Sequence, residues 1–112
     1  MNLQTIVDQL NLTVLTEMHD FSNITTQGGY ASDLLSCVMA GAKSGNIWIT
    51  LQAHLNIVAV ASMLDVSAVI ITENAQPDEA TITKANEQGV ILLSTSKFSY
   101  EICGRLWEMN LR

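Results

Sequence analysis

The sequence predicts an α/β fold: a mainly parallel sheet flanked by helices and built from consecutive βα units. Two observations carry that expectation. Three strand-then-helix segments follow one another, with strands over residues 46–51, 68–72 and 90–94 and helices over 54–64, 77–88 and 99–109. The runs Ala68-Val69-Ile70-Ile71 and Val90-Ile91-Leu92-Leu93 are apolar without alternation, as in parallel strands covered on both faces.

Taken in order, Leu3, Ile6, Val7 and Leu10 trace a short helix, residues 12–16 alternate like a strand, and 24–26 read as another short strand. The pair Gly28-Gly29 supplies positive-φ freedom for a bend, and Ser32 or Asp33 caps the helix that follows. Leu34, Leu35, Val38, Met39 and Ala42 form that helix's apolar side, and Gly45 closes it. In the later helices Ile57, Val58, Ala61 and Leu64 share one face, as do Ile102, Cys103, Leu106 and Trp107. Pro77 fits the first turn of the helix over 77–88, Asp78 and Glu79 complement its dipole, and Gly89 ends it. Trp48 and Trp107 are both expected in the core.

Composition narrows the function. Hydrophobic residues make up 48% and charged residues only 14%, so a domain of 112 residues has little charge with which to cover its surface. Self-association, as a homodimer, is the expectation. A net charge of −6, with 11 acidic against 5 basic side chains, argues against nucleic acid and against an anionic membrane surface. The first residues lack a basic start and a long apolar segment, so no secretory signal is expected. Cys37 and Cys103 lie in apolar helical patterns without C-x-x-C spacing, which reads as two buried thiols in a reducing cytoplasm.

The stretch Gln27-Gly28-Gly29-Tyr30-Ala31-Ser32-Asp33 resembles a phosphate loop only in its glycines. It has no G-x-G-x-x-G and no G-K-[ST], and Asp33 puts a negative charge where a phosphate would rest. Gly28, Gly29 and Tyr30 are instead expected at a subunit contact.

The runs GGYASDLLS, NIWITLQAHLNIVAVA and AVIITENAQPDEATITKANEQGVILLST resemble the DRTGG domain. That small module occurs beside CBS pairs, in phosphotransacetylase-type proteins and in some pyrophosphatases, and is similar in outline to the N-terminal domain of HPr kinase/phosphorylase. The likeness covers about residues 24–108, within a single DRTGG-like domain over 1–112. The namesake motif is absent: Asn23-Ile24-Thr25-Thr26-Gln27-Gly28-Gly29 stands in its place, so no role of the motif's Asp and Arg carries over. The resemblance implies a compact module that pairs with itself and accompanies regulatory domains, with no catalytic residue set.

Parallel strands would bring their carboxyl ends to one rim, where open α/β sheets bind ligands. Thr50, Gln52, His54 and Asn56 follow the first of these strands, Thr72, Glu73 and Asn74 the second, and Ser94, Thr95, Ser96 and Lys97 the third. These residues are either helix caps and turn formers or a site for a small polar or anionic ligand such as a nucleotide or phospho-metabolite. Catalysis is not expected: His54 is the only histidine near the rim, and no spacing ties it to Glu73 and to Ser94 or Ser96 as a unit. No metal or cofactor is expected either, with His19-Asp20 reading as solvated loop. The expected role is a non-catalytic regulatory module that dimerises, with a small ligand or a regulatory partner protein as further binders.

Overall fold

Along the chain, the computed structural model describes residues 1–17 and 19–112. It runs α1 (Leu3–Gln9), β1 (Thr13–Val14), β2 (Gly29–Ala31), α2 (Leu35–Gly41), β3 (Ile47–Thr50), α3 (Asn56–Leu64), β4 (Ala68–Ile71), α4 (Glu79–Gln88), β5 (Leu92–Ser94) and α5 (Ser99–Glu108). The sheet order is β1-β5-β4-β3-β2; β2 to β5 are mutually parallel and β1 is antiparallel to β5. The α/β class and the three βα units read from the sequence are therefore present.

The uninterrupted apolar strands are buried because both faces are covered. Ile47, Ile49, Ala68, Ile70 and Leu93 pack toward α1 and α5, against Leu3, Ile6, Ile102 and Leu106. The alternate residues Trp48, Val69, Ile71 and Leu92 pack toward α2, α3 and α4, against Val38, Ile57, Val58 and Ala85. Period-two alternation thus serves two cores rather than one core and solvent.

Local chemistry sets the helix ends. Asn2 caps α1 by accepting the Thr5 N–H at 2.9 Å. Asp78 caps α4 by accepting the Thr81 N–H at 2.8 Å, so Pro77 lies one residue outside the cap and not in the first turn. Gly89 ends α4 at φ +71°, as expected. Thr81's hydroxyl and N–H both bond the Asp78 carboxylate and hold its pKa below the ordinary value, since each favours the charged form. A depressed folded pKa gives stability that is complete above the unfolded value and lost as pH falls through the folded one. Asp78→Asn, with no charge to lose, is therefore expected to give up at neutral pH the contribution of the ionised cap and to lose correspondingly less stability on the acid side of the unfolded carboxylate pKa. Urea titrations across that range check it; an unchanged acid limb would overturn it.

Several further sequence expectations are corrected. Residues 24–26 form no strand, only a single bridge from Thr25 to Asn2. The edge strand falls instead on the glycine pair, because Gly28 alone takes the left-handed turn (φ +68°) and Gly29 extends along Ile47. Neither Ser32 nor Asp33 caps α2 in the ordinary way: Leu34 is at the cap position, without a side-chain bond to the helix. Gly45 does not end α2, which stops at Gly41; at φ +83° it turns the chain into β3. Cys37 is exposed and Cys103 only half-buried, and Trp107 is 59% exposed. Both helices bury a narrower stripe than their apolar composition suggests: only Val38 in α2, and Ile102 and Leu106 in α5, are buried.

Candidate functional site

The carboxyl ends of β3, β4 and β5 do converge: Thr50, Ile71 and Ser94 lie side by side in register. The expected rim residues therefore share one edge, but most of their polar groups are used within it. Thr50 is buried, and its hydroxyl donates to Asp33 at 2.8 Å. The same carboxylate oxygen accepts the Leu51 N–H at 2.8 Å, and Gln52 Nε2 donates to the Asp33 carbonyl at 3.2 Å. Asp33 thus fastens the end of β3 rather than the start of α2.

A second knot joins β4 to α5. The fully buried Thr72 shares a hydrogen bond with Ser99 Oγ, and Glu73 accepts the Ser99 N–H at 3.3 Å. Glu73 and Asn74 both sit at φ +60°, and their N–H groups donate to the carbonyls of Lys97 and Thr95. Thr95 Oγ1 accepts the Lys97 N–H at 3.1 Å, and Ser94 is buried at the strand end. In the first loop His54 and Asn56 are exposed, with His54 Nδ1 accepting the Asn56 N–H at 3.2 Å; Glu73, Asn74 and Ser96 are exposed in the other two. Asp33, Glu73 and Asp78 stand near the same loops, so the rim carries more acid than base. Among the described residues no cluster of metal-ligating side chains occurs, and no helix is long and apolar enough to cross a membrane. His19 and Asp20 are exposed, and Asp20 is held ionised below its usual range by the Ser22 hydroxyl and N–H.

A different surface stands out beside β2. No strand among the described residues pairs with its outer edge, and Gly29 and Ala31 are exposed there. A groove of about 120 Å³ runs between this edge and α5, lined by Gly29, Tyr30, Ala31, Cys103, Leu106 and Trp107. Trp107 stacks under the Arg112 guanidinium at 5.0 Å, and Tyr100, two turns earlier on the same side of α5, is 92% exposed. Tyr30 itself turns toward α2, where its hydroxyl donates to the Cys37 carbonyl at 3.1 Å and its ring lies against Gly41. Sequence reasoning placed Gly28, Gly29 and Tyr30 in this region but missed Asp33 at the rim and the outward flank of α5.

These features define a small α/β module with a parallel four-strand run, an internally bonded strand-end rim and, among the described residues, unpaired outer edges at β1 and β2. The fold is similar to that of the CBS and DRTGG domains of the regulatory region of Clostridium perfringens pyrophosphatase, solved in complex with its activator diadenosine tetraphosphate. The TM-score is 0.74 at 20% identity, over 97% of this chain and 46% of that one. The present chain spans about half the length of that structure, and the DRTGG-like reading holds at the level of fold. No family model matches the chain, and no curated protein matches its sequence.

Proposed function

We propose that this chain is a non-catalytic, cytosolic regulatory and interaction module that acts by pairing with a second copy of itself. The observation that carries the reading is the open β2 edge lying beside an α5 flank with two exposed aromatics, Tyr100 and Trp107. Exposed aromatic side chains next to unpaired strand groups are what a protein interface uses. The rim supports the non-catalytic half of the reading. Thr50, Thr72 and Glu73 are engaged in holding loops, and His54 bonds its own backbone neighbourhood rather than a nucleophile. Sedimentation velocity at micromolar concentration is expected to give a two-chain mass. A one-chain mass maintained into the millimolar range overturns the reading.

A second reading is a sensor of a nucleotide or phospho-metabolite at the rim. It draws support from the fold neighbour's activator and from the exposed His54 and Asn56 in the loop after β3. The acidic balance of the rim weighs against a phosphorylated ligand. Calorimetric titration with diadenosine tetraphosphate and simpler adenine nucleotides separates the readings. Binding that His54→Ala weakens favours the sensor; no heat at millimolar nucleotide removes it.

A further inference from the structure

The amino-terminal edge of the sheet, opposite the rim, holds a second recess. It has a volume of about 570 Å³ and lies where β2 and β3 begin, beside the loop from α2 to β3. Lys43 and Arg112 line it with Gly28, Gly29, Ser44 and Asn46, and no carboxylate side chain does. Two of the 5 basic residues in a chain of net charge −6 thus share one recess. Asp65, which accepts the Ser44 hydroxyl at 3.1 Å, stands outside the lining.

The sequence objection to an anion at these glycines is Asp33, and the fold removes it. Asp33 bonds Thr50 and Leu51 at the far end of β3, whereas Gly29 pairs with Ile47 at the near end. Three strand steps, about 10 Å, separate Ile47 from Thr50. The negative charge therefore lies at the opposite edge of the sheet.

The donors at the recess are held in place yet unengaged. Asn46 fixes the loop, its Oδ1 accepting the Lys43 N–H at 2.9 Å and its Nδ2 bonding the Gln27 carbonyl. The Lys43 ammonium has no ion-pair partner among the described residues. Arg112 Nε donates to the Trp107 carbonyl at 3.3 Å, which holds the guanidinium over the indole and leaves its two terminal nitrogens free. Among the described residues the Gly28 N–H has no acceptor. Gly28 O accepts the Ile47 N–H, so alternation along the parallel ladder turns the Gly29 N–H away from β3 as well.

Gly29, Tyr30 and Arg112 also line the groove of about 120 Å³ beside Leu106 and Trp107, so the two recesses adjoin. That groove is on the scale of one aromatic ring, against about 150 Å³ for a cavity that admits benzene. We propose that the joined recesses bind a small organic anion. Its carboxylate or phosphate meets Lys43, Arg112 and the glycine N–H groups, and its compact apolar body lies along Leu106 and Trp107. An apolar slot with a few placed charged donors is the usual make-up of a small-molecule site. The site is complete within one chain and lies away from the rim, so it depends on neither reading above.

Two-dimensional amide NMR of the full chain tests it, with phenyl phosphate and phenylacetate as probes and inorganic phosphate as the head group alone. Either aromatic anion is expected to shift the Gly28 and Gly29 amides and the Trp107 indole N–H saturably at millimolar concentration, and more tightly than inorganic phosphate. The tighter of the two assigns the head group. Lys43→Gln and Arg112→Gln are each expected to weaken binding about fivefold, the upper end for a solvent-accessible ion pair. Lys84→Gln removes the same charge from α4 and is expected to change nothing, while the spectra themselves report whether each variant is folded. No shift of these signals overturns the proposal, as do shifts confined to the Thr50, Thr72 and Ser94 amides of the rim. Equal weakening by Lys84→Gln overturns it too, by showing diffuse charge and not a site. None of these outcomes bears on self-pairing, which sedimentation of the unliganded chain reads separately.

Discussion

Replacing Trp48 with alanine is expected to destabilise the protein by about 3–5 kcal/mol, the usual range for removing a fully buried large aromatic. Trp48 is wholly inaccessible in the middle of β3, pressed into the cluster formed with α2 and α3. Its indole Nε1 donates to the Ser32 carbonyl at 2.9 Å, and that bond fixes the loop leaving β2 onto the sheet. The substitution thus leaves a large void and removes a loop tie at once. Ordinary domains have a total stability of about 5–15 kcal/mol, so the variant is expected to be near its unfolding threshold at room temperature. Trp48→Phe keeps most of the packing but loses the bond, and should fall between the two. Urea denaturation followed by far-UV circular dichroism measures both; a loss below about 1 kcal/mol for the alanine variant would contradict the burial described above.

The same residue shows why part of the fold was readable in advance. β3, β4 and β5 are central strands, so neither face needs polar residues, and their sequences become apolar strings that stand out from their surroundings. β2 has no such signature. It lies at the sheet edge, its outward residues are Gly29 and Ala31, and only Tyr30 is half-buried; such a segment looks like a turn. The glycine pair does bend the chain, but only at Gly28, and one residue later it is strand. α5 misled in the opposite direction. Cys103 and Trp107 extend its apolar pattern, yet the sheet covers only the stripe through Ile102 and Leu106. Periodicity identifies a helix's apolar residues; it does not say how many of them the same chain covers.

The rim was readable by position and not by bonding. Parallel strands force Thr50, Thr72 and Ser94 to a common edge, and the sequence spacing was enough to foresee it. Which groups remain available there depends on partners far away in sequence. Thr72 meets Ser99 and Thr50 meets Asp33, and no local motif announces either pair. The rule that favours Asp before a helix as its cap failed for Asp33 because the ends of β2 and β3 lie side by side, so Thr50 and Leu51 offer it two donors first.

That competition leads to a second large effect. Asp33→Ala is expected to cost about 1.5–3 kcal/mol, the range for hydrogen bonds to a charged group, with solvent access to Asp33 favouring the lower half. The reason lies in what is left behind. Thr50 is 1% exposed, so its hydroxyl loses an acceptor that water cannot readily replace, and the Leu51 N–H loses its partner at the same time. Gln52 bonds the Asp33 backbone carbonyl, not its side chain, so that link survives the substitution and the loop stays attached. Asp33→Asn retains an oxygen acceptor at the same reach and should recover about half of the loss. If Asp33 were merely a helix cap, the loosening would concentrate in α2. The bonding seen here places it instead at Leu51, whose amide hydrogen exchange is expected to accelerate in Asp33→Ala, while the Cys37 and Val38 amides, bonded to the Leu34 carbonyl, keep their protection.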